Sequence, residues 1–499
     1  MHMSVISNPG SLCDAHVLNL FNLKPESVDS IHILHDKDGV KASITLMRET
    51  QCCPVCQFET NQVKDYSTKK ILHALTTNIP CHILYRARRY KCPACGKCFY
   101  EHNPFSHRNM KVSVLTVSNV LQDLKKETET FTSVANRYSL SPTSVSSIFD
   151  SHVYVSRRTL PKFINIDEVY GFSGHQGDYV CVLVDYITNH TIDVLPSRKK
   201  DDLIKYFQSI PRSERENVQI VSCDMWHTYR LVVKHCLPNS VVAVDRFHII
   251  QEFHRKITSI RIQAMRKAKK LENSQDENKD MYYVFKKFNW LLLINDETIH
   301  KKSNLPYLDV NMEKQYNRKL KRYCNYYDLY QMMLAFDSQL ETCINLKFQL
   351  DELYNSGTYE SAPTLVQELI NDLNESQIPE MIAFANTLRN WKSEVINSLI
   401  EIDDKKDYER KKWNDKEKVI QTQKAKRGKK YKLRPFNESK VYRMNNGIVE
   451  NRNKVIKRIK NNSNGYSNWE RFRHRVLYVL NDDATYRLNP INDKEKTGK

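Results

Sequence analysis

Phe163-Ile164-Asn165-Ile166-Asp167-Glu168 and, further on, Val218-Gln219-Ile220-Val221-Ser222-Cys223-Asp224 are short apolar runs that each close on acid. Runs of this length bounded by polar turns read as buried strands, so Asp167 and Asp224 stand at strand ends. The surrounding pattern is regular. Tyr179–Asp185 and Thr191–Leu195 read as further strands and Asp201–Ile210 as an amphipathic helix on Leu203, Ile204 and Phe207. Thr228–His235 reads as a second helix and Ser240–Val244 as a last strand.

Three strands, a helix, a strand, a helix and a strand is the order of an RNase H-like α/β core, a mixed five-stranded sheet with helices. Its first and fourth strands are neighbours, so Asp167 and Asp224 can share a metal ion. A third acid, Glu450, follows Asn445-Asn446-Gly447 and opens a strongly basic helix over Asn451–Lys460. Magnesium, or manganese, takes oxygen ligands and keeps several waters, so two or three carboxylates plus phosphate oxygens suffice. With two ions about 3.5–4 Å apart, one activates the attacking oxygen and the other stabilises the leaving one. Asp167 would bridge the ions, with Asp224 and Glu450 each completing one. On the same helix, Asn453, Lys457 and Arg458 are candidate DNA contacts, and Lys457 lies two turns along on the face of Glu450. An ordinary solvated basic helix is the alternative.

The formal net charge of +19 over 499 residues suits a polyanionic partner, with DNA the leading choice. No apolar run approaches the roughly 18 residues of a membrane span. No charged segment followed by an apolar stretch opens the chain, so a cytoplasmic protein of the bacterial nucleoid is expected.

Seven of the thirteen cysteines fall between Cys52 and Cys98, a clustering that points to metal rather than disulfides. Cys53-Pro54-Val55-Cys56 and Cys92-Pro93-Ala94-Cys95 are two Cys-x-x-Cys turns, and four thiolates make the closed structural site zinc prefers. Cys52 and Cys98 leave the register open by one pair on each side. Cys53, Cys56, Cys92 and Cys95 are favoured because both pairs then carry Pro after the first Cys. The long spacer needs strands of its own, and the basic, alternating Ile83-Leu84-Tyr85-Arg86-Ala87-Arg88-Arg89-Tyr90 supplies one. Cys81 reads as a core thiol.

Val112–Lys126 has helical apolar spacing, followed by Phe131–Tyr138, a turn at Ser139-Leu140-Ser141, and a helix over Pro142–His152 begun by a Ser cap and Pro. Two short helices around a tight turn form a helix-turn-helix, with Thr143, Ser144, Ser146 and Ser147 facing the groove. A plain helical hairpin is the alternative. Between His248 and Glu450 lies a mainly helical insertion: Phe253–Leu271, Asn311–Leu353 and Pro363–Asp403 carry helical spacing. Lys424–Lys432 reads as a basic loop too polar to pack.

These residues resemble the DDE transposases of bacterial insertion sequences, of the ISL-three family, from Cys53 to about Leu480. The likeness rests on the paired CPxC knuckles, the helix-turn-helix, Ile164–Glu168, and Asp224-Met225 with Tyr229. It continues through Leu237-Pro238-Asn239, Asp245-Arg246-Phe247-His248, Asn446-Gly447 before Glu450, Asn453, Lys457, Gly465-Tyr466 and Phe472–Leu477. Two departures are Asn451, where many relatives have Gly, and the length of the insertion. The resemblance implies a transposase with Asp167, Asp224 and Glu450 as its metal-binding catalytic triad. Asp245 and His248 match the family's acidic-x-x-His element, in a structural or accessory role. It also implies double-stranded DNA as partner, both terminal inverted repeats and target, and a homodimer or larger synaptic complex. Metal-dependent strand cleavage and strand transfer would be the reaction. The competing readings are a catalytically inactive transposase descendant kept for DNA binding, and an RNase H-like nuclease. Five segments follow: a zinc-binding module over 1–105, the helix-turn-helix over 106–158, and the first part of the core over 159–250. The insertion takes 251–440, and 441–499 forms the C-terminal part of the core with the glutamate helix.

Overall fold

The computed structural model describes residues 3–491 except 7–16, 37–38, 77–78, 108–109, 171–178, 273–277, 296, 302 and 428–432. The chain divides into two compact units, Met1–Arg157 with Gly171–Asp178 and Asn453–Lys499, and Arg158–Tyr170 with Tyr179–Arg452.

In the first unit, β1 (Met3–Ile6), β2 (Val28–Asp36), β3 (Gly39–Leu46), β6 (Val63–Thr76) and β7 (Ile79–Lys91) form a sheet in the order β1-β2-β3-β7-β6, and β8 (Cys98–Tyr100) adds to the end of β7. The short β4 (Gln51–Cys52) and β5 (Glu59–Thr60) make a separate hairpin. Side chains alternate between faces along a strand. Cys81, Ile83, Tyr85 and Ala87 of β7 accordingly pack with Ile31, Ala42, Ile44 and Ile71 on one face. β3 starts so close to β7 that a Cβ on Gly39, at φ +121°, would sit 2.2 Å from the Pro80 carbonyl oxygen.

Three helices follow: α1 (Val114–Leu124), α2 (Phe131–Arg137) and α3 (Pro142–His152). α2 begins with a reciprocal Thr130–Ser133 capping box, and α3 with Ser141 accepting from the Ser144 N–H at 3.0 Å. Ser139, at φ 55°, turns the chain between them. Arg137 locks the group by pairing with Glu129 at 2.6 Å and with Asp123, which also accepts from Tyr138 at 2.9 Å. The C-terminal helix Trp469–Leu480, which the sequence placed with the catalytic core, joins this group instead. Its Tyr478 is buried with Val117, Leu121, Val145 and Phe149, and buried Arg475 donates to the carbonyls of Lys126 and Glu129.

The second unit holds a sheet in the order β11-β10-β9-β12-β13, made of β9 (Phe163–Tyr170), β10 (Tyr179–Asp185), β11 (Thr191–Leu195), β12 (Ile220–Cys223) and β13 (Val241–Val244). β9–β10–β11 run antiparallel, and β12 and β13 lie parallel to β9. Ile164 and Ile166 of β9 and Val221 and Cys223 of β12 pack under α4 (Lys200–Gln208) and α5 (His227–Cys236), against Leu203, Phe207, Val232 and Val233. The intervening Asn165, Asp167, Ser222 and Asp224 therefore point to the opposite face.

α6 (Arg246–Leu271) starts at its Asp245 cap, earlier than the spacing suggested, and leads into an insertion with its own core, where Phe253, Ile257 and Ile260 meet Leu340, Ile344 and Phe384. The helical reading of 311–353 is corrected. A hairpin of Gln315–Asn317 and Arg322–Cys324 turns at Lys321 (φ 51°), and helices Tyr326–Phe336 and Ser338–Asn355 follow. Over 363–403 three helices replace one, because Gln377 (φ 55°) and Pro379 interrupt the first. The basic tract is corrected in part: helix Asp403–Arg427 runs into it, while 428–432 lie outside the described residues. No described helix is long and apolar enough to cross a membrane.

Candidate metal centres

Each cysteine pair sits on a tight turn built the same way. The Gln57 N–H donates to the Cys53 carbonyl at 2.9 Å and the Cys53 N–H to that of Phe58; the Gly96 N–H donates to Cys92 at 2.9 Å and the Cys92 N–H to Lys97. Gln57 (φ 60°) and Gly96 (φ 71°) take the left-handed conformation these turns require. The four sulfurs of Cys53, Cys56, Cys92 and Cys95 lie within 4.8 Å of one another, with Cys53–Cys95 at 3.6 Å and Cys56–Cys92 and Cys56–Cys95 at 3.5 Å. A tetrahedron of sulfurs around zinc at about 2.3 Å has edges of about 3.8 Å, so the set fits zinc. The two conceivable extras, Cys52 and Cys98, fall outside it. Backbone N–H groups, first that of Cys56, hold the Cys53 thiol down to about 6. The Phe58 N–H lowers Cys56 too, but its contacts with Cys95 and burial outweigh this and push it up to about 12. Four crowded sulfurs cannot all ionise unless a cation joins them.

Parallel pairing fixes the relation of the acids. Asn165 of β9 sits opposite Ser222 of β12, and Cys223 opposite Val244 of β13. Two residues past the first pair stand Asp167 and Asp224; one past the second stand Asp224 and Asp245. Three aspartates therefore form a row where the parallel pairing of three neighbouring strands ends, about 4.8 Å per strand; the strand-end reading of Asp167 is corrected, since β9 runs on to Tyr170. Burial pushes Asp167 up to about 6, with the charges of Glu168 and Asp224 adding to the effect and His248 opposing it. Burial likewise pushes Asp224 to about 6, with Glu168 adding and His248 and Arg198 opposing. One carboxylate oxygen of Asp224 is buried without a hydrogen-bond partner. Asp245, 3% exposed, caps α6 through the Phe247 N–H and is raised by burial, with Glu450 adding. The charge of His248, one turn into α6, acts against the rise of all three aspartates.

Glu450 lies in the first turn of a helix spanning Gly447–Asn462, longer at its start than the basic run suggested. Its approach to the sheet depends on polar side chains from the strands. The Asn165 amide donates to the Asn445 carbonyl at 2.5 Å and the Ser222 hydroxyl to the Asn446 side chain at 3.0 Å. The Tyr186 hydroxyl donates to the Arg443 carbonyl at 2.7 Å, and the Asn446 N–H reaches Asp245. Asn165, Ser222 and Tyr186 were not singled out from sequence. The signal was there in two small polar residues inside otherwise apolar strands. Glu168 was also passed over: it accepts from buried Tyr229 at 2.7 Å and pairs with Arg198, whose guanidinium stacks 3.7 Å from the Tyr179 ring and 4.6 Å from that of Trp226.

Among the described residues only the cysteine set brings three or more ligand atoms mutually within 4.8 Å. Asp167, Asp224 and Glu450 form no such set; Glu450 acts through its charge on Asp245, and the turn before it is held by Asn165 and Ser222. Of the candidate DNA contacts, Thr143 and Ser147 are exposed on α3, and Ser144 shares a hydrogen bond of 2.8 Å with its cap Ser141. Lys457 and Arg458 are exposed, Arg458 pairing with Glu127, while Asn453 is buried.

Residues 164–403 match the profile of a transposase family, and residues 49–95, with all four cysteines, match the zinc-finger of the transposases IS204, IS1001, IS1096 and IS1165. The chain is 21% identical over 257 residues to the transposase for insertion sequence element IS1001 of Bordetella parapertussis, an alignment covering 50% of this chain and 59% of that protein. Asp167, Asp224, Asp245 and His248 fall inside the family match; Glu450 lies beyond it.

Proposed function

The chain belongs to the ISL-three family of transposases, and from that premise we propose that it binds terminal inverted repeats and catalyses metal-dependent strand cleavage and strand transfer. One observation carries the reading: Asp167 and Asp224 stand side by side on parallel strands whose own Asn165 and Ser222 grip the loop that delivers Glu450. The strand order β11-β10-β9-β12-β13 supports an RNase H-like core. The α2–α3 pair, capped and locked around Ser139, supports a helix-turn-helix with α3 as its reading helix.

Asp167, Asp224 and Glu450 would hold magnesium or manganese, which supplies Lewis-acid activation of the attacking oxygen and stabilises the leaving one. The orphaned oxygen of Asp224 and the raised acidities of both aspartates fit ligands that a dication ionises. Glu168, held by Tyr229 and Arg198, fixes β9 beside Asp167, whose carboxylate accepts from the Glu168 N–H at 2.8 Å. In the first step water bonds to phosphorus and the bond to the 3′-oxygen breaks, freeing a 3′-hydroxyl. In the second that hydroxyl bonds to a target phosphorus and displaces a target 3′-oxygen. Both are in-line displacements, so one site serves both, and joining two ends calls for a dimer or larger synapse.

The test is a labelled duplex carrying the terminal repeat, incubated with magnesium or EDTA. Nicking at the repeat end that needs the metal and vanishes in Glu450→Ala supports the reading. Repeat binding without cleavage in any metal moves it to a DNA-binding descendant.

A further inference from the structure

The sheet of the first unit has a second face, opposite the one that buries Ile83 and Tyr85. Pairing places Lys70 beside Leu84, Thr68 beside Arg86, and His82 between Leu72 and Lys41. Lys64, Tyr66, Lys70 and Arg86 are exposed there. Among the described residues Lys64 and Lys70 make no ion pair with a carboxylate, and Arg86 makes its contact with the Tyr66 ring, 4.3 Å away. His82 is held below its ordinary value by burial and by the charges of Lys70 and Lys41, which marks one electropositive surface. Asp65 turns aside to Arg89 at 3.5 Å, and Glu101 is buried against Arg88. No described acidic side chain shares the row of Lys64, Lys70 and Arg86. Lys64 and Lys70 stand about 20 Å apart along β6, and Arg86 lies between them on β7, opposite Thr68 and about 4.8 Å across, a spread that spans several phosphates of a duplex. A sheet edge usually carries lysines merely to block pairing, but that purpose does not call for Arg86 on the inner strand β7.

We propose that this basic face, carried by Lys64, Lys70 and Arg86, is a second DNA-binding surface that grips the phosphate backbone of duplex DNA without reading its sequence. The inference rests on the DNA-binding reading of the whole chain and adds to α3 a contact that positions rather than specifies. The Tyr66 ring, 4.3 Å from the Arg86 guanidinium, holds that cation on the exposed face.

The test measures full-length chain binding to a repeat duplex and to a random-sequence duplex by fluorescence anisotropy across a salt series. Each neutralised phosphate contributes about 0.9 to the slope of log affinity against log salt. Lys70→Ala/Arg86→Ala should make the slope shallower by about 1.8 for both duplexes and weaken both about tenfold or more at moderate salt, leaving their ratio unchanged. Lys70→Arg/Arg86→Lys should keep the wild-type slope. Zinc content and melting temperature are checked for every variant, and Lys64→Ala alone, at the sheet edge, should remove about 0.9. If wild type binds steeply and the variants share its slope, the face assignment falls while the DNA reading stands, leaving an acidic protein as the better partner. If wild type binds neither duplex at any salt, both fall.

Discussion

In the knuckles four sulfurs lie within 4.8 Å of one another on two turns that repeat the same backbone hydrogen bonds. The carboxylates of Asp167, Asp224 and Glu450 come from two strands and a helix and stop short of that distance. With Cys53 held down to about 6 and Cys56 pushed up to about 12, the crowded thiols do not all ionise together, so local backbone geometry can assemble them. Carboxylates repel once ionised, and burial in the sheet raises both aspartates to about 6. A structural site can thus be complete in its fold, whereas on the proposed reading the catalytic site is closed by its cations and the DNA phosphate.

The largest expected effect breaks the comparison at the acidic end. Asp167→Ala or Glu450→Ala should cut cleavage on the order of 10³-fold or more while repeat binding stays within about twofold. A variant that still cleaves removes that residue from the site. At the other end, Cys56→Ser or Cys92→Ser should do the reverse: zinc drops from about one per chain to near none, and the first unit melts earlier. Unchanged metal content in both would sink the knuckle assignment.

A finer pair sharpens what the sheet contributes. Asn165→Ala and Ser222→Ala loosen the grip on the Asn445–Gly447 turn without touching a carboxylate. Cleavage should fall about 10–100-fold, partly recovered at high manganese, with DNA binding unaltered. Full activity in both would mean the turn is positioned elsewhere.

The smallest effect is on stability. Asp224 is raised from 3.8 to about 6, so its contribution is fully present below about pH 4 and lost as pH rises through about 6. Metal-free wild type should therefore melt a few degrees below Asp224→Asn at pH 7.5 and close to it at pH 4. Magnesium should raise only the wild type at pH 7.5. Parallel melting curves at all pH values would contradict a buried, ionising Asp224.

Most of the fold was legible because local rules agreed with the tertiary outcome. The Ser141–Pro142 helix start, the apolar runs carrying Asp167 and leading to Asp224, and the Pro-bearing cysteine turns each carry their own signal, though β9 runs on past Asp167 to Tyr170. The insertion was less legible. Helical spacing over 311–353 cannot reveal a hairpin whose turn rests on Lys321 in a left-handed conformation. The placement of Trp469–Leu480 with the three-helix group depends on Arg475 reaching the Lys126 and Glu129 carbonyls, a long-range contact no periodicity encodes. At the site, the acids stood out in sequence, but Asn165, Ser222 and Tyr186 act through partners 224 to 280 residues away. For Asn165 and Ser222 the sequence signature is only a polar residue in an apolar strand, and Tyr186, just past β10, carries none.

The central claim is that Asp224 ligates a catalytic cation, and metal-specificity rescue tests it most directly. Asp224→Cys should bind the repeat normally and fail to cleave it in magnesium, then regain cleavage in manganese or cadmium, which accept sulfur. Undiminished cleavage in magnesium, or none in any metal with binding intact, would contradict it.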